Sequence, residues 1–478
     1  MRCLMNMLLA AMLAAPARAV AAEPAATQSS GASQRASVAL TVYNDDLGLV
    51  RETRALTLPT GDAALRFMDV AARIDPRTVH IGSLTSPSAL RVLEQNYEYD
   101  LISPDKLMEK FVGRQVTLVF PPPEAGAGRE RQVDARLVST NGGMVYEIDG
   151  QYHVNPPARV ILPEIPGGLI SVPTLVWHLR NAGPAAHTIE ASYLTGGVGW
   201  SADYIVSLDA KDSRADLNGW VTITNESGAS YADATLKLVA GDVHRARREA
   251  PEMRMTAMAV DAAAPQIAEE AFFEYHMYTV ERPVTVKDRQ TKQVALMEAS
   301  GVPIRKTYLL AGQSGWYRSK LGLLGREMKV GVFLEFDNAQ KGGLGIPLPA
   351  GVVRMYKKDS AGSLQFVGED SIKHTPKDET VILKAGDAFD VVADRVQTDY
   401  RAVAGGRYDI EVEFEIKIRN HKEEAVTVTV REPMSGDWKV LTSTHPAQRK
   451  DAATLEFSVP VARDAEAVLR YRVAIDWG

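Results

Sequence analysis

Thiol chemistry is almost absent from this chain. Its 478 residues contain one cysteine, Cys3. That cysteine follows Met1-Arg2 and precedes an apolar run over residues 4–15, after which come Ala17-Arg18-Ala19 and Val20-Ala21-Ala22. A basic start, a short apolar centre and an Ala-x-Ala-like site predict a secretory signal peptide over 1–22, cleaved after Ala19 or Ala22. The mature chain then has no thiol, which excludes disulfides, thiolate metal sites and a cysteine nucleophile. Cys3 lies ahead of the apolar centre, where it is poorly placed for lipidation. No later stretch reaches the ~20 apolar residues of a membrane-spanning helix. A large excess of one charge is also missing: net charge is -6 and the isoelectric point about 5.9. Nucleic acid is therefore not an expected partner, because its binding domains are usually basic.

The familiar catalytic signatures are missing as well. There is no zinc-protease helix motif, Walker-type phosphate loop, dinucleotide fingerprint or serine elbow. No cofactor is predicted.

Short alternating strands separated by turns dominate what is present. The predicted class is all-β and multidomain: immunoglobulin-like β-sandwiches with a small inserted β-barrel. Residues 23–36, rich in Ala, Ser, Pro and Gln, read as a flexible mature N-terminus. An N-terminal β region covers 37–105. A short helix near 107–111, started by Ser103-Pro104-Asp105, opens a barrel-like domain over 106–168. Its strands are separated by Asn141-Gly142-Gly143 and Asp149-Gly150, which favour tight hairpins because Asn, Asp and Gly accept positive φ. A central sandwich region spans 169–404. Within it, 242–270 is rich in Ala, Met, Arg and Glu without a steady period, and reads as an exposed excursion.

The clearest pattern lies in a C-terminal sandwich over 405–478. Ile410, Val412, Phe414, Ile416 and Ile418 fall on one face, and Glu411, Glu413, Glu415, Lys417 and Arg419 on the other. That period of two marks a half-buried antiparallel strand. The strand ending at Asn420 resembles the one ending at Asn225, which suggests an internal repeat in which Asn serves the turn.

Six residues carry candidate chemistry. If the segment around Asp370 runs as a strand, Asp370, Ile372 and His374 share a face. Asp with His suits acid–base chemistry or a metal; the structural alternative is hydrogen bonding at a strand end. Asp390 is the third catalytic candidate. It lies beside Asp387 and Asp394 in a pattern that is not a calcium loop. Arg395 and Asp399 read as a surface pair. Trp200 and Tyr204, after Gly196-Gly197-Val198-Gly199, and Trp316, after Gly312-Gln313-Ser314-Gly315, are candidate stacking residues for a sugar or other small ligand. The alternative for these aromatics is a sandwich core.

Two stretches resemble a known family. Residues 193–204, with Trp200 and Tyr204, look like its opening motif. Its closing motif is matched by Arg354-Met355-Tyr356-Lys357-Lys358-Asp359, Phe366-Val367-Gly368-Glu369-Asp370, His374-Thr375-Pro376 and Gly386-Asp387-Ala388-Phe389-Asp390-Val391. The family is the bacterial DUF4139 group, a domain of unknown function, and the resemblance runs from about 175 to 478. Longer relatives resemble mucoidy inhibitor A proteins, whose coiled coils this chain lacks. The resemblance implies export and a β-rich architecture, and it supplies no catalytic residues.

The expectation from sequence is an exported protein of a Gram-negative envelope, periplasmic or secreted. An interaction or structural role is favoured, with an envelope protein or polysaccharide as partner. The alternatives are a hydrolase or carbohydrate-active enzyme, and a sugar- or small-ligand-binding module. Oligomeric state is not predicted.

Overall fold

The structure, a computed structural model, describes residues 26–44, 46–122, 129–241, 267–272, 274–403 and 409–477. The expected signal peptide and residues 242–266 of the expected excursion lie outside these residues.

The chain is predominantly β. It begins with β1 (Ala26–Ser30), β2 (Arg35–Tyr43), β3 (Leu47–Thr57), β4 (Gly61–Met68), β5 (His80–Ser83) and β6 (Leu90–Glu98). Then come α1 (Pro104–Phe111) and five short strands: β7 (Gln115–Phe120), β8 (Arg131–Ser139), β9 (Val145–Ile148), β10 (Gln151–Val154) and β11 (Arg159–Ile161). Longer strands follow: β12 (Thr174–Asn181), β13 (Ala186–Thr195), β14 (Val198–Leu208), β15 (Arg214–Asn225) and β16 (Tyr231–Ala240). Next are β17 (Ile267–Phe272), β18 (Tyr275–Val280), β19 (Val284–Val286), β20 (Gln290–Pro303), β21 (Arg305–Ala311) and β22 (Leu323–Asp337). The remainder comprises β23 (Gly351–Lys358), β24 (Leu364–Ile372), β25 (Thr380–Ala402), β26 (Ile410–Asn420), β27 (Val426–Pro433), β28 (Asp437–Ser443), β29 (Ala447–Asp451), β30 (Thr454–Val461) and β31 (Ala465–Asp476).

Two compact units share these strands. Of the described residues, the first holds those within 26–36, 53–70 and 80–191, the second those within 37–52, 71–79 and 192–477. In the first unit, β1, β4, β12 and β6 form a sheet in that order. Residues 26–30, expected to be flexible, pair in parallel with β4 instead. A polar anchor explains the ordering: buried Arg54 donates to the Ser30 carbonyl at 2.7 Å. The five short strands are ordered β10-β9-β8-β7-β11. Val116, Leu118, Leu137 and Tyr146 close over Met108 and Phe111 of α1. Strands β9 and β11, separated in that order, contribute Tyr146 and Val160 to the wall of one cavity, so the sheet curls into a nearly closed barrel. Ser103 caps α1, accepting from the Lys106 amide at 3.2 Å, which satisfies a donor that the helix start leaves free.

In the second unit, β20, β15, β14, β23 and β24 form one sheet in that order. Strand β16 pairs in parallel with β2 and antiparallel with β18, and β18 pairs with β17. Residues 267–270, read from sequence as the end of the excursion, therefore belong to a strand. The last sheet runs β28-β31-β26-β25-β22-β21-β27-β30-β29. Residues from distant strands of that order, including Phe414, Val430, Phe457 and Tyr471, fill one core. The sheet thus folds over itself as a sandwich. The alternation read in β26 holds: its five apolar residues are buried, while Glu413 and Glu415 pair with Arg472 and Arg470 of β31, each at 2.6 Å. The expected boundary at 405 does not hold for this module. Tyr308, Val330, Val391 and Ala393 share its core, because β25 pairs with both β26 and β22.

Candidate ligand-binding site

Asp370 and His374 each bond to backbone amides. The Asp370 carboxylate accepts from its neighbour Ser371's amide at 2.8 Å. It also accepts from the Lys384 amide at 2.7 Å, tying β24 to β25. Strand β24 ends at Ile372, so His374 lies beyond it, where Nδ1 accepts from the Ala350 amide at 3.2 Å. Both side chains accept from backbone donors, Asp370 within β24 and His374 just beyond its end.

The aromatic candidates are packing residues. Trp200 is buried, meets Tyr278 edge to face at 6.3 Å and donates its indole N–H to the Val239 carbonyl. It also contributes to the wall of a polar depression of about 340 Å³, beside Asn44, Asp46 and Glu226. Tyr204 is buried, its hydroxyl donating to the Pro349 carbonyl at 2.8 Å. Burial pushes its phenol pKa well up. Trp316 packs against the C-terminal core with the Arg395 guanidinium 4.6 Å over its ring.

Asp390 lines a cavity among charged groups. The cavity has a volume of about 220 Å³. Asp212, Lys306, Lys357, Asp390 and Lys422 supply its charges, and Leu208, Tyr308, Val332, Leu334, Ala388 and Phe389 supply most of its apolar wall. The hairpin turn between β14 and β15 places Asp212 at a left-handed φ of 53°, which Asp tolerates better than most residues. Asp209 braces this turn, accepting from the Ser213 amide at 2.8 Å. Lys306 stands on β21 and Lys357 on β23. Both ammonium groups donate to the Asp212 carboxylate, Lys306 at 2.7 Å.

Strand β25 delivers the remaining wall through an irregularity. From the pair Gly331–Asp387 to the pair Lys329–Val392, the ladder moves two residues along β22 and five along β25. The surplus forms a bulge carrying Ala388, Phe389 and Asp390. Bulges bend a strand and re-aim its side chains. Gly386, at φ 152°, gives the backbone the freedom to enter it. Phe389 is left 94% exposed.

Burial pushes the Asp212 carboxyl pKa up, but the bonds from Lys306 and Lys357 outweigh it and hold the group below the usual aspartate value. Burial pulls the Lys306 ammonium down, and Asp212 more than reverses that, leaving it raised. The depressed acid stabilises the fold above the unfolded Asp pKa near ~4 and loses this as pH falls. The raised base contributes below the unfolded Lys pKa near ~10.4 and loses it as pH rises further. Between these limits both groups stay charged.

Asp212, Lys306 and Lys422 carry no signal in the sequence, and Lys357 appears there only inside a family motif. The four come from separate segments, so no spacing signals them. Among the described residues no group of three or more His, Cys, Asp or Glu could hold a metal ion, and no helix is long and apolar enough to cross a membrane.

The model of a domain of unknown function, DUF4139, matches residues 189–478. This chain belongs to the DUF4139 family. The match covers β14 to β31, and with them every residue of the lysine-lined cavity. No curated protein matches the chain.

Proposed function

We propose that this DUF4139 protein is an exported envelope protein that binds rather than transforms its ligand. One observation carries the reading. The cavity where charged side chains converge holds lysines already bonded to a carboxylate, with the Lys306 pKa raised and the Asp212 pKa lowered. A general acid or base works best with a pKa near the operating pH, and a nucleophilic lysine needs its pKa lowered. These two groups are shifted the opposite way, toward permanent charge. They suit electrostatic recognition, and the apolar wall adds contact area. Export is supported by the N-terminal pattern of a basic start, a short apolar centre and Ala17-Arg18-Ala19.

The test combines location with fate. A tagged full-length chain is fractionated in a Gram-negative host, and the purified protein is incubated with small molecules extracted from the envelope. The expected result is recovery from the periplasm with a new N-terminus after Ala19 or Ala22, and enrichment of bound compounds without loss from the mixture. Retention in the cytoplasm would remove the export half. Consumption of a compound that stops in Lys306→Met would overturn the binding half.

A further inference from the structure

From the same cavity, and resting on the binding reading above, we infer the ligand class: a small monocarboxylate with a compact apolar body, held by Lys306 and Lys357 and covered by Phe389. Donor geometry points to a single anionic group. Three lysines line the cavity with two aspartates, and Lys422 also pairs with Glu424 at 3.4 Å, so Lys306 and Lys357 are the cations that a ligand anion meets. Asp212 takes one hydrogen bond from each of Lys306 and Lys357. An ammonium has three donors, so each retains N–H groups for a second carboxylate. Their side chains are only 26% and 34% exposed, and partial desolvation strengthens such an interaction relative to water.

Size and wall chemistry narrow the class further. About 220 Å³ is roughly the space of seven waters at ~30 Å³ each. That is below the ~300 Å³ lower end of ordinary drug-sized pockets. Inorganic phosphate would leave the exposed side chains of Val367 and Phe389 at the cavity uncovered. A branched or aromatic carboxylate places its anion on the lysines and its body on that wall.

Phe389 gives the third argument. A large aromatic 94% exposed gains nothing from folding by burial, since side-chain burial contributes in proportion to area removed from water. The bulge in β25 nevertheless holds it at the cavity wall. A bound apolar body supplies the contact that the folded chain leaves open to the ring.

Calorimetric titration of the purified protein tests this with benzoate and 3-methylbutanoate as probes, and benzamide and inorganic phosphate as matched controls. One carboxylate is expected to saturate, at least tenfold tighter than benzamide, and to weaken with added salt. Lys357→Gln should lose about tenfold. Phe389→Ala should lose several-fold with its melting temperature unchanged, since the ring is exposed. Should Lys357→Gln fail to fold by circular dichroism, Lys306→Gln takes its place with the same sign of effect. Equal binding of benzamide and benzoate overturns the inference, as does undiminished affinity in a folded lysine variant or failure of both carboxylates to saturate. Saturation by phosphate alone sinks this ligand class and leaves the binding reading standing. Chemical change of a bound carboxylate keeps the class and sinks the binding reading.

Discussion

Asn420 ends β26 fully buried, and its amide works as a junction. Nδ2 donates to the carbonyls of Glu424 and Ala462, at 2.8 and 2.9 Å, and Oδ1 accepts from the Lys422 amide at 3.1 Å. Asn225, at the end of β15, repeats the arrangement with the Ala229 and Lys287 carbonyls and the Ser227 amide. In the first unit, Asn181 does so at the end of β12 with Leu58, Pro184 and Gly183. Asn338 follows β22 and bonds similarly to the Ile346 and Pro376 carbonyls and the Gly345 amide. Each amide links its own turn to a more distant segment. Aspartate would lose both donors, and alanine would leave two carbonyls and an amide without partners. Asn420→Ala should therefore cost about 2–4 kcal/mol, against less than ~0.5 kcal/mol for exposed His421→Ala, by urea unfolding. The likeness of Asn225 to Asn420 was legible in sequence because both close an alternating strand. The copies at Asn181 and Asn338 were missed because the following turns differ in length and composition.

Strand β25 shows how one element serves two ends. Its first part and bulge reach the lysine cavity, and its later part carries Arg395 into the C-terminal core. Arg395 reads from sequence as the surface partner of Asp399. Instead it pairs at 2.6 Å with Glu432 of β27, both side chains 0% exposed, and Asp399 pairs with Arg401 and Arg472 outside. The Tyr317 hydroxyl donates to Glu432 at 2.9 Å and lies 3.1 Å from the Tyr471 hydroxyl. Gly312 makes room for this, because a Cβ there would overlap the Glu432 carboxylate. Removing one partner of a buried ion pair leaves an uncompensated charge, at a typical ~3–5 kcal/mol, whereas an apolar replacement of both is often neutral. Glu432→Gln should lower stability by about that amount. The double replacement Arg395→Met with Glu432→Leu should recover most of it, as judged from denaturant midpoints. Alternation could not reveal the pair, since an inward Arg between Ala393 and Gln397 reads as a break in an amphipathic strand.

The proposed export and the thiol inventory are tested on the molecule as a whole. On the proposed export Cys3 would leave with a cleaved signal peptide, so protein recovered from the periplasm and unfolded in denaturant should contain no reactive thiol. Its melting temperature should not move with reducing agent. One thiol per chain by Ellman titration, with a mass that includes residues 1–22, would show that the leader stays on. The DUF4139 match covers the strands after β13 and leaves the small barrel outside it.

The sequence by itself determined the β class, the short helix before the barrel, the alternating faces of β26 and the family. Each rests on local order: a period of two, a turn signal or a contiguous motif. Only the tertiary structure decided the rest. It gave Asp370 and His374 to backbone donors, buried Trp200 and Tyr204, joined the last sandwich to strands from β21 onward, and gathered Asp212, Lys306, Lys357 and Lys422 around one cavity. Those outcomes depend on which distant strands pair and where a ladder slips. Pairing partners are chosen by the burial of whole faces, so residues far apart in sequence meet without leaving a local signature.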